Sequence, residues 1–255
     1  MQVVILAGGK GTRITEDNSR IPKPLVEIGT IPVLIHLMEY FSSFGHKDFL
    51  ILLGYKSQEI KRYFLELESR TSDLEIDFKK GEIAKVNKAG KHIDWKVKLI
   101  DTGLATMTGG RILKAKKHLA EEFFLTYGDG LSNVDLEALL SLHQKSNTIG
   151  TVTAVNPPSR YGAIELDGNR VVSFAEKPNS NSWVNAGFFV FKKSICDFIS
   201  DSDTIFERSP LEALVKNGEL SAYLHQGFWL GMDTLRDRDY LESLWESGQA
   251  PWLRT

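Results

Sequence analysis

The sequence is poor in cysteine, because Cys196 is the only one among its 255 residues. A single cysteine excludes an internal disulfide and favours a cytoplasmic protein. We expect Cys196 to be a packed side chain on its helix. No stretch approaches the roughly 20 apolar residues that a membrane-spanning helix needs. The apolar opening run is short, has no basic leader and passes straight into glycines, so we do not expect a signal peptide.

The sequence also lacks an excess of either charge. Lysine and arginine number 31 against 33 acidic residues, which leaves a net charge of −2. With no long basic run, neither nucleic acid nor a membrane surface is an expected partner. A linker rich in proline, serine or glycine is also missing, which favours one domain spanning residues 1–255.

Strand-like and helix-like patterns alternate in the first half. This order predicts an α/β fold with a Rossmann-like, mainly parallel sheet flanked by helices. Strands are predicted at Val3–Leu6, 48–55, 97–101 and 123–129, and helices after Pro32, at 56–67 and at 134–144. Residues 68–96 are more polar and strongly charged, and we predict an inserted hairpin or excursion there.

The second half changes character and predicts a small antiparallel appendage. Asp167-Gly168 lies between two alternating runs, which is a strong hairpin signal. Strands are predicted at 148–155 and 183–191, a short helix at 193–200, and an amphipathic C-terminal helix at 234–248. With Trp245 and Trp252 nearby, this last helix is expected to expose more apolar surface than a monomer needs, which favours a homo-oligomer.

The first strand leads into a glycine-rich loop. Gly8, Gly9 and Gly11 precede Arg13, and Lys23 follows between two prolines. Glycines let backbone N–H groups approach an anion closely, and the two cations add charge. The spacing fits neither a P-loop nor a dinucleotide fingerprint, which disfavours a dinucleotide-dependent oxidoreductase. An ordinary strand-to-helix turn is the alternative, but Arg13 and Lys23 favour a polyphosphate site.

Two aspartates follow strand-like or turn-like segments far apart in the chain. Asp129 ends a predicted strand, where ligands of open α/β sheets gather, and Asp233 precedes the last helix. Each has a purely structural alternative, since aspartate commonly caps turns and helix N-termini. Two carboxylates beside a triphosphate would also suit Mg²⁺, which binds a few carboxylates together with phosphate oxygens.

The stretches LAGGKGTR (6–13) and PKPLVEIG (22–29) resemble the signature of the sugar-phosphate nucleotidyltransferases. The resemblance implies that Arg13 and Lys23 bind phosphates and that Asp129 and Asp233 hold Mg²⁺, with Arg13, Lys23 and Asp129 catalytic. It also implies a nucleotide-binding set made of Leu6, Ala7, Gly8, Gly9, Lys10, Gly11, Thr12, Arg13, Lys23 and Gly128. Residues 1–147 would then form mainly the nucleotide half, and residues 148–233 mainly the sugar-phosphate half.

The resemblance also assigns a sugar-phosphate pocket. Glu176 would bond sugar hydroxyls, Lys177 would hold the sugar 1-phosphate, and Asn185 would contact the sugar. Tyr161 and Gly162 would flank the same pocket. The adjacent charges of Glu176 and Lys177 have a plain alternative, a surface ion pair.

Across nearly its whole length the chain resembles the glucose-1-phosphate cytidylyltransferases, notably at 101–111, 124–135, 228–245 and the ending APWLRT. In this family the residues matching Thr106 and Arg111 contact CTP. The sequence departs from the family pattern at Leu230-Gly231, where Gln-Pro is common, and at Ala186, where a second glycine is usual.

The expected reaction is Mg²⁺-dependent transfer of CMP from CTP to α-D-glucose 1-phosphate. The products are CDP-glucose, a precursor of deoxysugars and of surface polysaccharides such as the lipopolysaccharide O-antigen, and pyrophosphate. Two alternatives stay open: the same chemistry with UTP, dTTP or another sugar 1-phosphate, and a catalytically silent protein that binds sugar nucleotides and regulates a partner.

Overall fold

The computed structural model describes residues 1–9, 21–70, 72–87, 93–157, 163–167, 170–175 and 183–254. Fifteen strands and six α-helices are assigned within these ranges. No helix in these ranges combines the length and the apolar character needed to cross a membrane.

The strands follow the chain in this order: β1 (Gln2–Ala7), β2 (Glu27–Ile28), β3 (Ile31–Pro32), β4 (Asp48–Leu53), β5 (Asp73–Asp77), β6 (Glu82–Asn87), β7 (Lys96–Asp101), β8 (Glu122–Tyr127), β9 (Gly130–Ser132), β10 (Gly150–Val155), β11 (Ala163–Asp167), β12 (Arg170–Ala175), β13 (Val184–Lys192), β14 (Leu220–His225) and β15 (Trp229–Gly231). The α-helices are α1 (Val33–Ser43), α2 (Ser57–Arg70), α3 (Thr108–Lys114), α4 (Leu136–Ser146), α5 (Ser209–Lys216) and α6 (Leu235–Glu246). Short 3₁₀ helices cover Lys23–Leu25, Lys116–His118 and Lys193–Phe198.

One seven-stranded sheet organises the molecule, with the strand order β14-β10-β13-β8-β1-β4-β7. Strand β1 pairs in parallel with β4 on one side and with β8 on the other. Strand β7 extends the parallel part, whereas β13 runs antiparallel to both β8 and β10. The predicted mainly parallel sheet is therefore confirmed.

Apolar runs in the central strands explain why they lie in the middle of this sheet. Five of the six residues of β1, and likewise of β4, are buried. Such runs need cover on both faces, which βαβ crossovers supply. One face of the sheet packs against α1, α4 and α6. The other face packs against α3, α5 and the 3₁₀ helix Lys193–Phe198.

The two predicted hairpins are also present. Strands β5 and β6 form an antiparallel pair within the charged 68–96 segment, and β11 and β12 form another around Asp167. Both pairs are separate from the main sheet. The turn residues Gly168 and Asn169 lie outside the described residues.

Several elements were not predicted from the sequence: the helices α3 and α5, the strand β14, and the short strands β2, β3, β9 and β15. Helix α3 contains Gly109 and Gly110, which are poor helix formers. A Cβ on Gly110 would meet the backbone of Ser202, and one on Gly109 would lie 2.8 Å from the Thr204 carbonyl oxygen. Close packing against that loop thus overrides the local propensity.

The expectation of an apolar surface around the C-terminal helix is contradicted for Leu241 and Trp252, whereas Tyr240 and Leu253 are 51% and 42% exposed. Leu241 of α6 is fully buried, and Trp252 is only 1% exposed. The Trp252 indole donates a hydrogen bond to Nδ1 of the buried His36, at 3.3 Å. The helix and the tail therefore complete the protein's own core. Cys196 is buried as expected, and burial raises the pKa of its thiol to about 11.

Candidate active site

The glycine segment begins where β1 ends, between the carboxyl ends of its two parallel neighbours. The Gly8 carbonyl accepts a hydrogen bond from Tyr55 N, just after β4, at 3.2 Å. On the other side Gly128 N, just after β8, donates to the Leu6 carbonyl at 3.0 Å. Gly8 and Gly9 thus lie at the carboxyl ends of the parallel strands, where ligands of open α/β sheets bind.

Lys23 belongs to a short 3₁₀ helix that begins directly after Pro22, and its side chain points towards these strand ends. The two flanking prolines restrict the backbone around the lysine, and Leu25 N closes the turn on the Pro22 carbonyl at 2.8 Å. Lys23 Nζ lies 2.5 Å from Asp129 Oδ2 and 2.8 Å from Asp233 Oδ1. Only 13% of the lysine side chain is exposed, against 31% of Asp129 and 53% of Asp233.

The charge of Lys23 is maintained by these two carboxylates. Burial lowers the pKa of Lys23, but the attraction and the hydrogen bonds of Asp129 and Asp233 outweigh burial, so the net pKa lies above the ordinary value. The lysine is therefore a cation at neutral pH that bridges two anions.

A small non-local strand pair brings Asp129 and Asp233 together across about a hundred residues of chain. Strand β15 pairs antiparallel with β9, so that Gly231 lies opposite Gly130. Met232 N then donates to the Asp129 carbonyl at 2.9 Å. Leu230 and Gly231, where the sequence departs from the family pattern, are part of this pair and hold Asp233 beside Asp129.

The purely structural alternative for Asp233, a helix N-cap, is wrong. Thr234 is the N-cap of α6, and its side chain and that of Asp237 form a reciprocal capping box. Asp237 Oδ2 also accepts a hydrogen bond from the backbone N of Asp233, at 3.1 Å. The capping box thus orients the segment that carries Asp233, whose carboxylate contacts Lys23 in the cleft.

Arg111 of α3 forms the opposite wall and is 95% buried, with only 5% of its surface exposed. Its Nη1 donates to the carbonyls of Leu53 and Gly103, each at 2.9 Å, and its Nη2 donates to the Gly8 carbonyl at 3.1 Å. A Cβ on Gly8 would collide with the Arg111 guanidinium. The guanidinium therefore holds the start of the glycine segment in place by its hydrogen bond to the Gly8 carbonyl.

Thr106 lies in the loop before α3 and is 6% exposed. Its hydroxyl donates to the Thr102 carbonyl at 2.6 Å and accepts from Lys114 Nζ at 2.7 Å. Thr106 thus belongs to the same hydrogen-bonded wall as Arg111.

A third group of side chains was not identified from the sequence. The Tyr127 hydroxyl donates to one carboxylate oxygen of Glu207, and the Thr108 hydroxyl donates to the other at 2.7 Å. Burial, together with the neighbouring Glu207 charge, raises the pKa of Tyr127, so the phenol stays protonated. Gly187 has φ of +76°, and a Cβ there would strike the Tyr127 ring. A three-residue motif search could not find Glu207, because its partners are about 80 and 99 positions away.

These residues surround one cleft of about 850 Å³. Its lining combines predicted positions with residues of the loop before α3: Leu6, Ala7, Gly8, Gly9, Lys23, Pro24, Leu104, Ala105, Thr106, Met107, Thr108, Arg111, Tyr127, Gly128, Asp129 and Asp233. Among the described residues, every predicted nucleotide-binding and metal-binding position is therefore part of this cleft.

The remaining predicted positions are placed only in part. Lys10, Gly11, Thr12, Arg13, Tyr161, Gly162, Glu176 and Lys177 lie outside the described residues. Asn185 lies at the start of β13, where its Oδ1 accepts a hydrogen bond from Gly187 N at 2.8 Å, and its side chain interacts with Tyr127. Asn185 thus does not line the cleft itself but contacts Tyr127, which does.

The two carboxylates fit a divalent cation. Both reach a single ammonium group within 2.8 Å, so one small cation could contact both. Among the described residues, no cluster of three or more acidic, histidine or cysteine side chains suits a metal. Two carboxylates with the remaining positions supplied by phosphate and water are the donor set that Mg²⁺ prefers, whereas a full protein cage is typical of other metals.

The sequence matches known proteins along its whole length. A family model described as nucleotidyl transferase covers residues 2–245. A probable glucose-1-phosphate cytidylyltransferase of Bacillus subtilis (strain 168) is 41% identical over 99% of both chains. The glucose-1-phosphate cytidylyltransferase of Salmonella typhi is 43% identical over 99% of this chain and 98% of its own.

Solved structures agree on the fold. HddC from Yersinia pseudotuberculosis superposes with a TM-score of 0.71 at 24% identity, covering 96% of this chain and 99% of its own. A UDP-glucose pyrophosphorylase complexed with UDP-glucose superposes with a TM-score of 0.69 at 18% identity, covering 97% and 98%. At these identities the likeness supports the fold alone.

Proposed function

The chain belongs to the nucleotidyl transferase family, and from this membership we propose that it transfers CMP from CTP to α-D-glucose 1-phosphate, with release of pyrophosphate. The observation that carries the proposal is the convergence of Lys23, Asp129 and Asp233 beside Gly8 and Gly9. Full-length likeness to glucose-1-phosphate cytidylyltransferases at 41–43% identity supports the choice of nucleotide and sugar.

The reaction needs little acid–base chemistry. The attacking oxygen belongs to a sugar 1-phosphate that is already an anion at neutral pH, so no general base is required. The oxygen attacks the α-phosphorus of CTP in line, the bond to the β-phosphate oxygen breaks, and pyrophosphate leaves. Catalysis then consists of positioning and of neutralising charge on the transferring group.

Each side chain has a proposed part in that process. Lys23 binds the α-phosphate, and the backbone N–H groups from Gly8 onward, together with Arg13, hold the departing β- and γ-phosphates. Asp129 and Asp233 would hold Mg²⁺, which screens phosphate charge when bound. Arg111 and Thr106 shape the wall on the nucleotide side, where the cleft passes the loop before α3.

The sugar phosphate is proposed to bind on the β13 side of the cleft. Lys177 steers its phosphate, while Glu176, Asn185, Tyr161 and Gly162 contact the sugar. Asn185 supports this side, because its side chain interacts with Tyr127, which lines the cleft. Ala186, where the family pattern has glycine, is buried, and its carbonyl accepts a hydrogen bond from the Trp229 indole at 2.6 Å.

Pyrophosphate release with Mg²⁺ tests the activity. Each of CTP, UTP, dTTP, ATP and GTP is paired with the 1-phosphates of glucose, galactose, mannose and N-acetylglucosamine. We expect release with CTP and glucose 1-phosphate to exceed every other pair. Release with UTP but not CTP would overturn the choice of base, and no release with any pair would favour the catalytically silent alternative.

Substitutions test the assigned residues. Lys23→Ala and Asp129→Asn should each lower kcat by about 10²–10⁴-fold, because each removes charge stabilisation from the transferring phosphoryl group. Lys47→Ala is the control, since Lys47 pairs with Asp94 at 2.6 Å away from the cleft. Circular dichroism at the assay temperature checks that the variants are folded. Near-normal turnover in either variant would contradict the mechanism.

Three broader expectations remain proposals. The chain forms a single nucleotidyltransferase domain with a mainly nucleotide-binding half at 1–147, a mainly sugar-phosphate half at 148–233 and the C-terminal helix at 234–255. A homo-oligomer is supported by Phe78 at 90% and Leu65 at 85% exposure, rather than by the C-terminal helix. A cytoplasmic location rests on the single cysteine and on the nucleotide substrate. Light scattering that gives a single-chain mass would contradict the oligomer.

A further inference from the structure

The most unusual contact in the cleft is the position of the Lys23 ammonium between two carboxylates. Its Nζ contacts Asp129 Oδ2 at 2.5 Å and Asp233 Oδ1 at 2.8 Å. These two carboxylates are the groups that the proposed function assigns to Mg²⁺. Two carboxylates that close together repel each other, and the lysine offsets that repulsion.

The lysine and a metal ion compete for the same oxygens. Mg²⁺ binds carboxylate oxygens at about 2.0–2.1 Å. A metal that used the same oxygens of Asp129 and Asp233 would meet the Lys23 ammonium there, and the two cations would exclude each other by overlap and by charge. Metal binding thus requires that Lys23 move away from Asp129 and Asp233.

Lys23 is well suited to remain between the carboxylates until another anion attracts it. Its side chain is only 13% exposed, so the ammonium is largely removed from water and needs an anionic partner. The nearest alternative in the cleft is the phosphate of a bound nucleotide, because Gly8 and Gly9 line the same cavity.

We propose that Lys23 acts as a built-in counter-ion that keeps the metal site closed until the nucleotide triphosphate binds. The nucleotide phosphate draws the Lys23 ammonium away, and the freed carboxylates of Asp129 and Asp233 then accept the divalent cation. This inference rests on the proposed function for the identity of the metal ligands. By linkage, metal and nucleotide then strengthen each other's binding by the same factor.

Binding of Mn²⁺ without any nucleotide tests the proposal, with free Mn²⁺ followed by electron paramagnetic resonance. Wild-type protein should bind Mn²⁺ weakly, and Lys23→Met should bind it at least about tenfold more tightly, because the competing cation is gone. Mn²⁺ should also raise the melting temperature of Lys23→Met more than that of the wild type. Neither readout depends on turnover.

Matched variants separate the possible causes. Lys47→Met removes the same charge from the Asp94 pair, and its Mn²⁺ affinity should stay within twofold of the wild type. Adding Asp129→Asn to Lys23→Met should abolish the gain. Lys23→Gln, which has no charge but keeps a hydrogen-bond donor, serves as a second variant if Lys23→Met does not fold.

The outcomes distinguish this inference from the proposed function. Equal nucleotide-free Mn²⁺ affinity in wild type and in both Lys23 variants would overturn the counter-ion role, while leaving transferase activity and its metal ligands untouched. A gain in Lys23→Met that persists after Asp129→Asn would overturn the assignment of the metal to this carboxylate pair, and the counter-ion role with it.

Discussion

At the scale of single residues, Arg111 connects three segments that form one wall of the cleft. Its guanidinium reaches the end of β1 at Gly8, the end of β4 at Leu53 and the loop after β7 at Gly103. Hydrogen bonds from a charged donor are each stronger than neutral ones. One buried side chain thus sets the spacing of the strand ends that surround the proposed phosphate site.

Replacing Arg111 with methionine should therefore lower stability as well as activity. We expect a loss of about 2–4 kcal/mol in the free energy of unfolding, because several charge-assisted hydrogen bonds disappear and buried carbonyls lose a donor. Urea unfolding measures the change. Arg62→Met is the matched control, since Arg62 is exposed and pairs with Glu59 within its own helix, so it should change stability by less than about 0.5 kcal/mol. Equal losses in both variants would contradict the bridging role of Arg111.

The sequence could identify Arg111 but could not show how it acts. The family resemblance predicts that Arg111 contacts the nucleotide. In the structure its guanidinium donates hydrogen bonds to carbonyl groups of the protein itself. Those carbonyls belong to Leu53, Gly103 and Gly8. They lie 58, 8 and 103 positions from Arg111 in the chain, so no local sequence pattern reveals them. Lys23 is different, because its flanking prolines mark the position in the sequence itself.

At the scale of elements, the start of α6 connects helix capping to the site. The Thr234 hydroxyl accepts from Asp237 N at 3.2 Å, and the Asp237 carboxylate accepts from the backbone N of Asp233 and of Thr234. The same carboxylate that completes the cap thus fixes the backbone that carries Asp233.

Thr234→Ala should lower the free energy of unfolding by about 1 kcal/mol, the usual cost of losing an N-cap side chain. It should also raise the Mg²⁺ concentration needed for half-maximal rate, because the segment that carries Asp233 is held less firmly. Urea unfolding and a Mg²⁺ titration of the rate measure the two effects. Ser243→Ala lies later in the same helix at an exposed position and should change neither. An unaltered Mg²⁺ requirement in Thr234→Ala would show that the N-cap of α6 does not position Asp233 for the metal.

Elements with strong periodicity were predictable, and those formed by tertiary contact were not. Strands β1 and β4 and helix α1 are continuous or periodic apolar segments, and all three were predicted close to their observed bounds. Helix α3 contains two glycines, and β9 and β15 have three residues each. Such short strands exist because they pair with each other, and their pairing is what joins Asp129 to Asp233.

At the scale of the whole molecule, histidine burial links stability to pH. Among the described histidines, His36, His143 and His225 are at most 8% exposed. Burial lowers the pKa of each of these three, and burial with the N-terminal ammonium lowers that of His46 to about 4. His36 shows the reason, because its two ring nitrogens contact the Ile28 carbonyl and the Trp252 indole, which requires the neutral ring.

Acid should therefore destabilise the fold well above the pH at which carboxylates titrate. The unfolded chain takes up protons on these histidines as the pH falls below about 6.5, whereas their lowered pKa keeps them neutral in the folded protein, so unfolding becomes more favourable as the pH falls. We expect the free energy of unfolding to be flat between pH 7 and 8. From pH 6.5 to 5 it should fall, by up to about 1.4 kcal/mol per pH unit for each histidine that stays neutral. Urea unfolding at several pH values measures this slope. His36→Gln, which can keep a donor and an acceptor without titrating, should reduce the slope, and an unchanged slope would show that His36 is not among the linked groups.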